Sequence, residues 1–180
     1  MNAWDLNAIT EVLKFPNKQL RARAIVRHVL KAGYAGIVCF TCGNAADALR
    51  QQLDDKLPLV EVGPRGRLKT DRWWTPEEIR RTWPALFDAT SGHLPFPLMI
   101  QVASEFKDHL NWKVKPGQQY FVPSGSGETI LCLSLAFPDT SFCAVYDNKR
   151  PATTRDADAP LNSVIDNLFP VQVWDGRLDV

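Results

Sequence analysis

The chain has few cysteines, no long apolar run and almost no net charge, and each shortage argues against a class of protein. Its N-terminal stretch, MNAWDLNAITEVLKF, lacks the basic start and apolar block of a secretion signal. We therefore expect its four cysteines to be reduced thiols in a cytoplasmic protein. No apolar segment is long enough to span a bilayer. With 21 basic and 20 acidic residues, nothing in the overall charge points to nucleic acid or an anionic membrane as a partner.

The chain also lacks internal repeats and low-complexity runs, and its composition is typical of one globular domain. Hydrophobic residues make up 45% of 180 positions, which is enough for a core. Six tryptophans and 13 prolines argue against a disordered chain. We predict a single domain over residues 1–180, with a polar, mobile loop at 147–160.

Apolar periodicity predicts an alternation of helices and strands. Helices are predicted at 2–14, 18–32, 45–54, 75–83, 97–110, 129–137 and 161–168, and strands at 36–41, 57–62, 118–122, 141–147 and 171–174. The helix after Thr75 carries a capping box, because Glu78 follows three residues later. Several strands are apolar throughout. The pattern therefore predicts an α/β fold with a mostly parallel sheet and helices on both faces.

Two small-residue turns, at 41–44 (TCGN) and 124–129 (SGSGET), each join a predicted strand to a helix. In parallel α/β folds ligands bind at the carboxyl ends of strands, and glycine-rich turns at helix N-termini favour phosphate. Such turns are also common structural devices, and Asn44 could simply cap its helix. Glu128 would repel a phosphate unless it points away. It could instead interact with the positive end of its own helix.

Three blocks between about residues 14 and 147 resemble the fold-type II pyridoxal-phosphate enzymes, the group of threonine synthase and cysteine synthase. PNKQLR at 16–21 resembles the lysine-bearing helix start of that family, and TCGN at 41–44 resembles its Ser-Ser/Thr-Gly-Asn turn. VPSGSGETI at 122–130 resembles its Gly-Thr/Ser-Gly-Gly-Thr phosphate loop. The interval from Lys18 to Asn44 is similar to that of threonine synthases.

The resemblance implies pyridoxal 5'-phosphate as cofactor and a lyase or β-replacement reaction on a small amino acid. Lys18 would form the imine with the cofactor and move the substrate α-proton. Asn44 would contact the pyridine 3-oxygen. The phosphate would be held by residues of the second turn, Gly125, Ser126, Gly127 and Thr129. The substrate would be held by residues of two other segments, Thr41, Cys42, Gly43 and His93.

The chain departs from the family in three ways. Gln19, Leu20 and Arg21 replace the usual residues after the lysine, and Glu128 stands where the family has glycine. The chain is also much shorter, which makes residues 56–96 a possible reduced remnant of a second domain. A shortened enzyme could complete its site as a homodimer. Alternatively, the protein keeps the fold as a non-catalytic ligand-binding or interaction protein.

Cys39 and Cys42 form a CxxC sequence after an apolar strand, which leaves a thiol redox protein as a third hypothesis. Buried structural thiols are the simpler interpretation, because Cys39 falls inside the predicted strand. A metal site is not predicted, since zinc would need a second ligand pair. The basic stretch at 64–72 with Trp73 and Trp74 could bind an acidic partner, but balanced net charge favours a solvated loop with tryptophans packed on the core.

Overall fold

A computed structural model describes residues 4–40, 44–62, 74–90, 94–147 and 162–174. The chain divides into two compact units, Pro16–Glu105 and Phe106–Val180 together with Met1–Phe15. They are called here the 16–105 unit and the 106–180 unit. In the described ranges, no helix combines the length and the apolar character that crossing a lipid bilayer would require. The predictions of a single domain and of a domain remnant at 56–96 stay predictions.

The 16–105 unit contains three parallel strands in the order β2-β1-β3, with helices between them. Its elements in chain order are Asn17–Ala32 (α1), Ile37–Phe40 (β1), Asn44–Leu53 (α2), Leu59–Val62 (β2), Pro76–Thr82 (α3), Phe87–Asp88 (β3) and Phe96–Leu110 (α4), whose last turn belongs to the other unit. Val38 in the central strand pairs with Val60 on one side and Asp88 on the other.

Local sequence signals explain where the helices of this unit begin and end. Helix α1 ends at Gly33, whose φ of 76° lies in the left-handed region that glycine adopts without strain. Helix α3 begins with the predicted capping box, because Thr75 Oγ1 accepts from the Glu78 N–H at 3.2 Å and Glu78 Oε2 accepts from the Thr75 N–H at 2.8 Å. Ile79 of α3 then packs into a core cluster with Val38 and Val62.

The 106–180 unit contains a second parallel sheet, in the order β4-β5-β6. Its elements after α4 are Gln119–Pro123 (β4), Glu128–Ala136 (α5), Ser141–Asp147 (β5), Asn162–Leu168 (α6) and Val171–Trp174 (β6). Residues 142–146 of β5 are all buried. Such a strand, apolar on both faces, is typical of the centre of a parallel sheet.

The predicted α/β class, with parallel sheets flanked by helices, is confirmed. The helix predicted at 2–14 is wrong. Of residues 4–14, which the structure describes, only Leu6–Ala8 form a 3-10 turn, in which Asp5 Oδ1 accepts from the Asn7 N–H at 2.9 Å. The aromatic residue Trp4 meets Phe121 edge-on at 5.2 Å between ring centroids, so a contact with β4 holds this segment in place of helical packing.

Two further differences concern the loops of the chain. The two-residue strand β3 was not predicted, because its pairing with β1 depends on long-range contacts and not on a local pattern. The mobile loop predicted at 147–160 lies outside the described residues from position 148 onward. The basic stretch at 64–72 is also outside them.

Candidate functional site

The turn between β4 and α5 has the geometry of an anion-binding corner. We call residues Ser124 to Thr129 the 124–129 corner. Gly127 occupies the N-cap position with a φ of 85°, and no described side chain caps the helix that follows. A left-handed N-cap is accessible to glycine at little cost. The first N–H groups of an α-helix lack partners within the helix, and they lie at the end that carries partial positive charge.

Ser124 adds a buried hydroxyl to this corner. Its backbone N–H donates to the carbonyl of Val145 at 2.9 Å, which fixes it at the carboxyl end of β4. The side chain is only 9% exposed, and its Oγ has no hydrogen-bond partner among the described residues. Buried hydroxyls without a partner are rare in folded proteins, because the lost hydration is not replaced. A ligand oxygen at this position would supply the missing partner.

The other predicted cofactor residues of this turn are close together because they are neighbours in the sequence. Gly127 is buried, Ser126 and Thr129 are half-buried, and Gly125 is exposed. The left-handed glycine, the uncapped helix start and the Ser124 hydroxyl together fit a phosphate group such as that of pyridoxal phosphate.

Glu128 is the unusual member of the corner. It is the first residue of α5 and is only 2% exposed, although glutamate is almost never fully buried in proteins. A carboxylate in the first turn of a helix is stabilised by the helix dipole. A carboxylate accepts hydrogen bonds and donates none. The corner thus combines backbone N–H and hydroxyl groups with one buried carboxyl side chain.

Lys18 and Asn44, the predicted cofactor residues of the 16–105 unit, each lie in the first turn of a helix. Lys18 is the second residue of α1 and is exposed. Asn44 is the first residue of α2, four positions after the end of β1, and is also exposed. The predicted substrate residues Thr41, Cys42, Gly43 and His93 lie outside the described residues. The roles assigned to all of these residues stay predictions.

A polar cluster at the end of β3 was not predicted from the sequence. Arg21 is half-buried, and its Nη2 lies 3.5 Å from the carbonyl of Ala89. Thr90 is 6% exposed and its backbone N–H donates to Asp88 Oδ1 at 2.9 Å. No local signal reveals this cluster, because it depends on β3, whose two residues carry no strand periodicity.

Cys39 is unsuited to thiol redox chemistry. Its side chain is 2% exposed in β1. Burial, with a smaller effect of the nearby Glu61 carboxylate, raises the pKa of the Cys39 thiol to about 12. Reactive thiols instead have a lowered pKa, because the thiolate is the nucleophile. The second cysteine of the CxxC sequence, Cys42, is outside the described residues.

Trp74 packs back onto the core, as predicted for the tryptophans of its loop. Its ring stacks on that of Trp83 at 5.2 Å between centroids. Both rings pack against the core cluster of Val38, Val62 and Ile79. The ring of Trp74 is therefore part of the packed core region. The basic residues before it are outside the described ranges.

Comparison with protein-family models gives no match, and comparison with curated protein sequences gives none either. Solved structures do match. A pyridoxal 5'-phosphate-dependent aspartate racemase is 14% identical over 73% of this chain, with a TM-score of 0.53. Threonine deaminase isoform 2 from Solanum lycopersicum is 16% identical over 87% of it, also with a TM-score of 0.53. The match covers 47% of each of those chains. The chain therefore has an α/β fold like that of fold-type II pyridoxal-phosphate enzymes, over about half of their length.

Proposed function

We propose that this protein binds pyridoxal 5'-phosphate and acts as a lyase or β-replacement enzyme on a small amino acid. The observation that carries the proposal is the 124–129 corner. There the buried Ser124 hydroxyl, which has no partner among the described residues, lies four positions before Glu128, the first residue of α5. A parallel-sheet corner of this kind suits a phosphate ester. The fold shared with known pyridoxal-phosphate enzymes supports the choice of that ester.

Lys18 and the predicted substrate residues would provide the reactive amine and the substrate contacts. Lys18 Nζ would hold the cofactor at its aldehyde carbon and accept the α-proton of the substrate. Asn44 would donate to the oxygen of the pyridine ring. Thr41, with the backbone of Cys42 and Gly43, would bind the substrate carboxylate, and His93 would border the substrate. When bound, the cofactor supplies an electron sink that makes the α-proton acidic.

Gly125, Ser126, Gly127 and Thr129 would surround the phosphate, together with the Ser124 hydroxyl. Thr129, in the first turn of α5, would contribute a second hydroxyl. We further propose a cytoplasmic homodimer. Because the chain spans about half the length of the enzymes that it matches, a second copy would help to keep water from the reacting carbon.

A second candidate function is a ligand-binding or interaction protein that retains the fold without the catalysis. Two observations favour it. Glu128 places a buried carboxylate at the corner where a dianionic phosphate would be repelled. Lys18 is exposed, whereas a reactive amine is usually held in a site that excludes water.

An absorption spectrum separates these two functions. The purified protein is saturated with pyridoxal phosphate and passed through a desalting column, and the visible band of the retained cofactor is recorded. Lys18→Ala should abolish the band, whereas Lys31→Ala should keep it, because Lys31 is an exposed lysine in the last turn of the same helix. A colourless wild-type protein would reject the enzyme and leave the second function.

A further inference from the structure

Glu128 changes the kind of anion that the 124–129 corner can accept. Of the buried residues that the structure describes, three are polar or charged, and Ser124 and Glu128, two of these, lie four positions apart in this corner. One is a hydroxyl without a partner among the described residues, and the other bears a carboxylate. A helix start alone would not define a site, but the buried Ser124 Oγ is an independent sign that a polar ligand belongs here.

The chemistry of the two side chains sets a condition on that ligand. The N–H groups in the first turn of α5 and the Ser124 hydroxyl donate to oxygens of an anion. A carboxylate accepts hydrogen bonds and donates none, so a carboxylate at Glu128 repels an anion that presents only acceptor oxygens. An anion that carries a proton can donate that proton to the carboxylate in a short, charge-assisted hydrogen bond.

Phosphate and sulfate differ in this respect. Near neutral pH, inorganic phosphate keeps at least one proton, whereas sulfate has none. A phosphate ester has its second pKa near 6, so its protonated form is also available to the site at modest cost. The two anions are otherwise nearly equal in size and shape. A site made only of donors would therefore bind both.

We propose that Glu128 is a specificity-determining residue that makes the corner select protonated phosphate over sulfate. The proposal rests on the proposed function in one respect, namely that the corner holds a phosphate group. It adds that the phosphate is held with a proton directed at Glu128. The glutamate is thus compatible with phosphate binding, and the anion that it excludes is one without a proton.

The alternative role of Glu128 is purely structural. Its carboxylate could itself lie over the first N–H groups of α5 and take the place of an anion. In that case the side chain would block the corner. The two roles make opposite predictions for phosphate binding by the wild-type protein, and only the selective site predicts that phosphate binds while Glu128 is intact.

The test is equilibrium dialysis of the full chain with radiolabelled inorganic phosphate at neutral pH, in competition with unlabelled sulfate. We expect wild type to prefer phosphate by roughly 10- to 100-fold, the range for hydrogen bonds to charged groups. Glu128→Gln should bind sulfate more tightly and bring the preference close to one. Glu77→Gln is the matched control, since it removes an exposed first-turn carboxylate from α3 and should keep the preference.

Equal affinity of wild type for the two anions would overturn the proposal. So would binding of phosphate that appears only after Glu128→Gln, because the carboxylate would then occupy the corner itself. These results are separable from the fate of the proposed function. Selective phosphate binding without the Lys18-dependent absorption band would uphold the selectivity and reject the enzyme. A Lys18-dependent absorption band without a preference for phosphate over sulfate would uphold the enzyme and reject the selectivity.

Discussion

The hydrogen bond of 2.9 Å from the Ser124 N–H to the Val145 carbonyl extends the pairing of β4 with β5 one residue beyond Pro123. Ser124 therefore takes the register position beside Tyr146, which is also buried. The first residue of the 124–129 corner is thus fixed by the sheet. A donor held in this way needs little reorganisation when a ligand binds.

Replacing Ser124 by alanine should weaken phosphate binding without weakening the fold. One hydrogen bond contributes about 0.5–1.5 kcal/mol, so the dissociation constant for inorganic phosphate should rise by roughly 2- to 12-fold. The free energy of unfolding should hold or increase, because the buried Oγ has no partner among the described residues. Calorimetric titration and urea unfolding measure the two effects.

Ser134→Ala is the control for this prediction. The Ser134 hydroxyl donates to the Leu131 carbonyl in helix α5, so its removal should leave phosphate binding unchanged. A loss of stability with unchanged binding would contradict this role of Ser124.

Gly127→Ala should weaken both the fold and the corner. The backbone φ of 85° is strained for a residue with a Cβ, at a cost of about 1–2 kcal/mol. Gly117→Ala is a matched control, because Gly117 has a φ of 75° and open space around it. The two variants should lose similar stability in urea unfolding, and only Gly127→Ala should also lose phosphate affinity. Equal phosphate affinity in the two variants would remove Gly127 from the site.

Gly36 should tolerate no side chain, for lack of space. A Cβ there would lie 2.6 Å from the Pro58 carbonyl oxygen, where the chain enters β2. Because that oxygen is backbone, Gly36→Ala should cost about 1–3 kcal/mol of unfolding free energy. Gly33 has open space but a φ of 76°, a conformation that asparagine adopts readily. Gly33→Asn should therefore cost less than Gly36→Asn in thermal unfolding. The reverse order would show that the backbone at Pro58 shifts at little cost to make room for a side chain at position 36.

Cys39 should make the protein less stable in alkali. Burial raises the pKa of its thiol from 9.0 to about 12. Below pH 9 the thiol is protonated in both the folded and the unfolded states. Between pH 9 and 12 only the unfolded chain releases the proton, so the free energy of unfolding falls by about 1.4 kcal/mol per pH unit. Cys39→Ala should remove that part of the slope in urea unfolding at pH 8, 9 and 10. An unchanged slope would mean that the thiol ionises normally in the folded protein.

The fold could be predicted from the sequence where the signals are local. The apolar run at 141–147 and the capping box at Thr75 fixed β5 and the start of α3 correctly. Strand β3 could not be found, since its pairing is long-range: the N–H groups of Phe87 and Ala89 donate to the carbonyls of Gly36 and Val38. The sequence also marked the 124–129 turn as an anion site, but not the burial of Ser124 and Glu128. That burial depends on residues distant in the chain.

The most direct test of the whole account is the position at which the cofactor becomes attached. The protein is incubated with a limiting amount of pyridoxal phosphate, reduced with borohydride, digested and mapped by mass spectrometry. We expect one labelled position, Lys18. Label spread over Lys14, Lys18 and Lys31 alike, all of which are exposed, would show reaction with surface amines and contradict the proposed function.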